Sequence, residues 1–147
     1  MFGVALLPFV ELRLAIPMGI GMGLSPLIVF LLAVIADILL GLVLIEVLFW
    51  LDKWIPNWKF LHIGKFYSRV REKTRTKMHR FTEKYGVWGV ALFIGIPLPG
   101  TGVYTGTLGA FLIGLDKKHY RKSCVIGVLL AAVIVTALSL GIFELIL

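Results

Sequence analysis

Four long apolar runs, residues 1–24, 26–51, 85–115 and 124–147, are separated by stretches that hold most of the charge. Each run is long enough to enter a bilayer, since a transmembrane helix needs about 20 predominantly apolar residues. The runs are not alike. Residues 26–51, rich in Leu, Ile and Val, read as an unbroken span. It opens on Ser25-Pro26, a good N-cap and first-turn pair, and ends among Trp50, Trp54 and Trp58, rings that favour a membrane interface. Pro56-Asn57 then breaks the chain. Residues 122–147 read as a second plain span. Residues 85–115 carry no charge, yet as one helix they would be about 46 Å long at ~1.5 Å per residue, well beyond a hydrocarbon core of about 30 Å. Their centre, Gly95-Ile96-Pro97-Leu98-Pro99-Gly100-Thr101-Gly102, has two prolines and three glycines, a composition that breaks helices. The pattern predicts two half-helices meeting at a bent tip.

The first run contains two charges where lipid penalises them. Glu11 and Arg13 lie in Pro8-Phe9-Val10-Glu11-Leu12-Arg13-Leu14-Ala15-Ile16-Pro17. A charge at the centre of a span costs roughly 2.5–3.5 kcal/mol on insertion scales. Two charges flanked by prolines predict a segment that dips in, breaks and presents polar groups to a sheltered cavity, the only setting in which non-helical backbone is tolerated at that depth. On a regular helix the two side chains are about 200° apart; at a break both can face one cavity. Glu11 there can bind and release a proton, because desolvation favours a neutral carboxyl and a nearby cation opposes that. Arg13 can hold a phosphate through two parallel donors, or serve as half of a buried ion pair. Asp37 falls about 18 Å into its span, near mid-bilayer, where an acid is a functional candidate and the natural partner of Arg13. Glu46 and Glu144 are close enough to span ends to reach an interface.

Between the second and third runs the chain is basic. Of fifteen Lys and Arg, ten lie between Lys53 and Lys84 and four more between Lys117 and Lys122. Ile63, Phe66, Val70, Thr74, Met78, Phe81 and Tyr85 recur at three- and four-residue spacing through the first cluster. This predicts a basic amphipathic helix over 60–84, lying on anionic headgroups or packing on a partner subunit. The charges also choose a topology. If all four runs crossed the membrane, the two basic segments would fall on opposite sides, against the positive-inside rule. If runs one and three are re-entrant, both basic segments lie on the cytoplasmic side. The expected fold is therefore an all-α integral membrane protein of two inverted repeats. Each repeat is a re-entrant helical hairpin (1–24, 85–115) plus one transmembrane helix (26–51, 122–147), and the basic helix joins them. Pro8–Gly19 against Pro97–Gly109 is the sequence echo of that repeat, and discontinuous helices in inverted repeats are a transporter architecture.

Composition narrows the rest. With 59% hydrophobic residues in 147, the chain belongs to the membrane class as one domain. The start has no basic residue before its apolar run and no small-residue cleavage site, so it does not read as a secretory signal. Cys124 is the sole cysteine, which rules out an internal disulfide and any cysteine-based metal site. His62, His79 and His119 are scattered through polar segments. No phosphate loop, nucleophile elbow or paired-carboxylate pattern occurs. An enzyme, a cofactor and a nucleic-acid partner are not expected; a multi-pass cell-membrane protein is.

The run Pro-Phe-Val-Glu-Leu-Arg-Leu-Ala-Ile-Pro, followed by a glycine-rich approach to a span and later by Ile-Pro-Leu-Pro-Gly-Thr-Gly, resembles the small multidrug export protein family. That family looks like a distant branch of the DedA and VTT-domain superfamily. The resemblance covers nearly the whole chain. It implies two re-entrant helices facing each other from opposite leaflets, and transport, with translocation of polyprenyl-phosphate or phospholipid suggested for DedA-like members, often linked to proton-motive force. The acidic residue of the first hairpin carries over to Glu11 and a nearby basic residue to Arg13. DedA-like second hairpins carry arginines near their Pro-Gly turn, whereas residues 93–104 here have none.

The expected function is a proton-coupled transporter or lipid flippase for an amphipathic anion. Glu11, Arg13 and Asp37 form the site with Pro97, Pro99, Gly100, Thr101, Gly102 and Tyr104 at the second tip, where half-helix N-termini offer N–H groups to an anion. Two alternatives stand beside it. One is a proton-coupled exporter of lipophilic cations, with Glu11 and Asp37 as the binding acids. The other is a scaffold that recruits partners through its basic helix. A thin wall of two spans and two hairpins predicts a homodimer or larger assembly.

Overall fold

The computed structural model describes residues 11–54, 69, 72–73, 85–98 and 101–146, and every side chain among them but those of Glu11 and Phe143. The described residues form five helices of any length: α1 (Glu11–Gly21), α2 (Pro26–Trp54), α3 (Tyr85–Gly95), α4 (Val103–Leu112) and α5 (Lys117–Ile146). The first half of the expected hairpin at 1–24 lies outside the described residues. So does the basic helix at 60–84, apart from Arg69, Glu72 and Lys73, which are helical and exposed.

Two helices, α2 with 29 residues and α5 with 30, are long and apolar enough to cross a membrane. Both are apolar on the outside as well as the inside. On α2, Ile28, Leu31, Leu32, Ile35, Leu39, Val43 and Val47 are exposed at helical spacing, while Val29, Ala33, Ala36, Asp37, Gly41 and Ile45 are buried. A helix that is hydrophobic all round belongs in a lipid solvent. The two run antiparallel. Gly41 of α2 faces Cys124 and Tyr120 of α5, and Glu46 reaches Lys117 (2.5 Å) and Arg121 (3.2 Å) at the start of α5. Lys117 also lies over the Phe49 ring, 5.1 Å from its centroid, and Phe49 meets Phe111 edge-on. The end of α2, which leads into the basic stretch from Lys53, and the basic start of α5 therefore share one end of the molecule. The first turn of α5 carries Lys117, Lys118 and Arg121, cations set against a positive helix end; Glu46 and Asp116 offset them. At Asp116 burial works to raise the pKa, but the hydrogen bond and charge of His119, with backbone donors, outweigh it and hold the carboxyl below its usual range.

The short helices repeat. α1 joins α2, and α4 joins α5, through turns with the same hydrogen bonds. Met22 N–H donates to Met18, Gly23 to Ile20 and Leu24 to Gly19; Ile113 donates to Gly109, Gly114 to Phe111 and Leu115 to Ala110. Gly23 (φ 80°) and Gly114 (φ 81°), 91 positions apart, take the left-handed conformation that closes a helix without a Cβ penalty. At that spacing burial repeats too: Leu12 and Val103, Ile16 and Thr107, Val29 and Tyr120, Ala33 and Cys124, Ala36 and Gly127 are buried in both copies. The register pairs Leu7-Pro8 with Leu98-Pro99 in sequence, so Pro8 corresponds to Pro99 rather than to Pro97.

α3 precedes α4. It folds back against α4, with Ile94 on Gly106, and runs alongside α5, with Ala91 and Ile94 on Gly127 and Gly95 on Leu130. α1 packs against both α2 and α5, and α4 does the same. A Cβ on Gly127 would stand 2.7 Å from the Ala91 carbonyl oxygen and 2.7 Å from Ile94 Cβ. Gly127→Ala should therefore cost about 1–3 kcal/mol, as overpacking does. Gly109→Ala, with nothing within 4 Å, should be neutral or slightly stabilising. Thermal unfolding in detergent micelles checks both; equal melting temperatures for the two variants would refute the α3–α5 contact.

Candidate functional site

α3 ends at Gly95, and the chain then runs irregularly through Ile96, Pro97 and Leu98. A helix end leaves its last carbonyls without intrahelical donors, and a proline contributes no N–H with which to answer them. Among apolar helices those carbonyls need a donor from elsewhere. Arg13, in the first turn of α1, supplies it. Its Nη2 donates to the Ile96 carbonyl (2.9 Å) and the Ile94 carbonyl (3.3 Å), and its Nη1 to the Leu98 carbonyl. Thr101 works on the same turn. Its hydroxyl is placed to donate to the Ile96 (2.6 Å) and Leu98 (2.8 Å) carbonyls, and its own N–H donates to Leu98 (3.2 Å).

α1 and α3 run in the same direction, so the C-terminal end of α3 meets the N-terminal turn of α1. Those ends carry opposite partial charges, roughly half an elementary charge each. Arg13 places a cation at the negative end of α3. Asp37 places a carboxyl at the positive end of α1: its Oδ2 accepts the Leu12 N–H at 3.3 Å. Asp37 is the twelfth residue of α2 and has no exposed surface. Leu12 and Ile16 of α1 are buried as well.

The sequence-predicted residues fall out as follows. Arg13, Thr101 and Pro97 meet at the α3 end, and Asp37 is one residue away from Arg13 through Leu12. Gly102 is the N-cap of α4, without a side-chain cap. Tyr104 is half-buried in the first turn of α4, at the repeat position of Arg13; Val128 occupies that of Asp37. The charged pair is thus a property of the first copy alone. Glu11 begins α1, its side chain outside the described residues, as are Pro99 and Gly100. Glu11 and Arg13 share one helix without a break between them; the rest of the expected hairpin lies outside the described residues. Pro17 is accommodated within α1.

Two features escaped sequence reasoning. The first is the set of main-chain acceptors at Ile94, Ile96 and Leu98; the run of prolines was the signal for them. The second is a buried hydroxyl chain: Tyr120 lies 2.5 Å from Thr107 Oγ1, which donates to the Val103 carbonyl, so the tyrosine proton points to the threonine. Both residues have no exposed surface. Between α3 and α4 there is also an apolar groove of about 300 Å³, lined by Tyr85, Gly89, Phe93, Gly106, Gly109 and Ile113 among others. The described residues contain no cluster of three or more His, Cys, Asp or Glu fit for a metal ion.

Asp37→Leu removes the acceptor from the buried Leu12 N–H and should cost about 1–3 kcal/mol. Asp37→Asn, whose amide oxygen can still accept, should cost clearly less. Comparing melting temperatures of the two variants checks that the carboxyl caps α1; equal losses would mean that the cap contributes nothing.

No curated protein and no solved structure matches the chain at a significant level. A model of the family described as "Putative small multi-drug export protein" matches residues 11–134. That stretch begins at α1, takes in Asp37 and the α3 end, and runs well into α5; the chain belongs to this family.

Proposed function

We propose that this protein is a multi-pass membrane transporter that exports amphipathic cations in exchange for protons, and is not an enzyme. The observation that carries this reading is Asp37, a carboxyl with no exposed surface, partway along a helix fit to span a bilayer and facing the end of a broken one. An acid at that depth is expensive in lipid and can hold either a proton or a positively charged substrate, which is what exchange requires. Glu11, two residues before Arg13, is the second acid. The groove between α3 and α4 offers the apolar part of such a molecule a place beside the junction.

The architecture supports the mode of transport. α1 and α3 have eleven residues each, about 16 Å apiece, so the two together match a core of about 30 Å. In this reading both are re-entrant half-helices that meet at the bilayer midplane, and the two oppositely directed copies are inverted repeats that rock about the junction to alternate access. The basic stretch from Lys53 to Lys84 faces the cytoplasm and binds anionic headgroups, and the thin wall is completed by a second copy. A distant DedA and VTT-domain kinship fits the same plan. Transport of an amphipathic anion would have Arg13 hold the phosphate, which requires its donors to leave three carbonyls first.

Reconstitution into vesicles tests this. A labelled lipophilic cation and a labelled lipid phosphate are compared with and without a pH gradient. The native chain should move the cation, faster with an inward proton gradient, and Asp37→Asn and Glu11→Gln should reduce the rate to that of protein-free vesicles. Movement of the lipid phosphate alone would replace the substrate class. Movement of neither would leave a scaffold, and indifference to the gradient would discard proton coupling.

A further inference from the structure

We propose that the carbonyls of Ile94, Ile96 and Leu98, in a turn that Thr101 pins, form a cation-binding site that Arg13 occupies as a tethered resident, and that the exported cation takes these same oxygens when Arg13 leaves them. The inference deepens the export reading and rests on it. It assigns the substrate's charged head as a group with several N–H donors, of the guanidinium or alkylammonium kind.

The site is built whether or not Arg13 is in it. The turn holds itself: Leu98 N–H donates to the Ile96 carbonyl (2.9 Å), and Thr101 N–H donates to the Leu98 carbonyl (3.2 Å). The Thr101 hydroxyl lies within reach of the Ile96 and Leu98 carbonyls, though its one hydrogen can serve only one of them at a time. Each carbonyl oxygen has two lone pairs, so the Ile94 carbonyl and whichever of the other two the hydroxyl does not serve keep a lone pair for a further donor after those bonds are made. The negative end of α3 adds its field to them. That this site accepts a delocalised organic cation is shown by its occupant: one guanidinium satisfies three main-chain carbonyls at once. The resident belongs to α1 and the acceptors to the α3 end, so replacing the resident by a free cation unties the two. Substrate binding and the separation of α1 from α3 become one event, which is the coupling that an exporter needs.

Chemical rescue decides the matter. Full-length Arg13→Ala is purified in detergent and its thermal unfolding followed with millimolar guanidinium, methylammonium, sodium or inorganic phosphate, each as a salt of a common counter-ion. Guanidinium should raise the melting temperature of Arg13→Ala by a few degrees and leave that of the native chain, whose site is filled, unchanged. The gain should disappear in Arg13→Ala/Thr101→Val. A gain from methylammonium as well would widen the head group to ammonium ions, within the proposal. No gain from any organic cation, an equal gain in the native chain, or a gain from phosphate alone would overturn it. On the native chain, an excess of a lipophilic guanidinium should shift the Arg13 Nη resonances in nitrogen-15 spectra; unmoved resonances would also overturn it, and this reading does not depend on the variant folding. Rescue without vesicle transport would keep the site and discard the export reading; transport without rescue would do the reverse.

Discussion

The guanidinium of Arg13 on the carbonyls of Ile94, Ile96 and Leu98 is the contact on which the rest of this structure depends. A helix that stops leaves main-chain acceptors without intrahelical donors, and an unsatisfied one costs several kcal/mol where hydrocarbon surrounds it. Three such acceptors collect at the end of α3, because the chain there has stopped being helical and its prolines bring no N–H. A lysine would offer a compact point charge; arginine offers a planar fork that can serve several oxygens at once. The bond joins residues more than 80 positions apart, so it also ties the first copy of the repeat to the hairpin ahead of the second.

Arg13 would be a poor choice for its own helix if it stood alone. A cation in the first turn opposes the helix dipole. Asp37 resolves this by placing a carboxyl at the same end, bonded to the Leu12 N–H. The junction of α3 and α1 is then a sequence of alternating charge: the negative end of one helix, a guanidinium, the positive end of the next, a carboxyl. Each member is stabilised by its neighbours, and removal of any one leaves a buried charge or dipole without its complement. Such an arrangement holds the ends of two short helices together without a covalent connection between them.

The repeat explains why the molecule has room for this. α1–α2 and α4–α5 are the same construction: a short helix, a turn with glycine in the left-handed conformation, a long helix, and matching buried positions. The chemistry is not shared equally. The first copy carries Arg13 and Asp37; at the same places the second has Tyr104 and Val128, and its buried polar groups are hydroxyls, those of Thr107, Tyr120, Ser123 and Ser139 among them. The packing positions match in both halves, while the buried carboxyl occurs only in the first.

The amino-acid sequence by itself determined that the chain is an all-helical, membrane-class protein with two long apolar spans, because length and hydropathy leave no other way to satisfy the backbone in lipid. It determined that the helix breaks near Pro97, where two prolines and three glycines fall within eight residues, and it marked Glu11, Arg13 and Asp37, since each is a charge where charge is costly. The partners of those charges were not legible. Arg13 was read as a phosphate ligand or an ion pair, and its visible acceptors are main-chain carbonyls, groups that every residue carries and no sequence pattern singles out. The likeness of the turns at Gly23 and Gly114 was also hidden, because Leu, Ile, Val and Gly recur so often in a membrane helix that identities at any spacing are weak; the hydrogen bonds of the two turns match at a spacing of 91. Only the tertiary structure brought the end of α3 to the start of α1, since that meeting joins distant segments through the packing of both against α5, and it is there that three unremarkable carbonyls become a place for a cation.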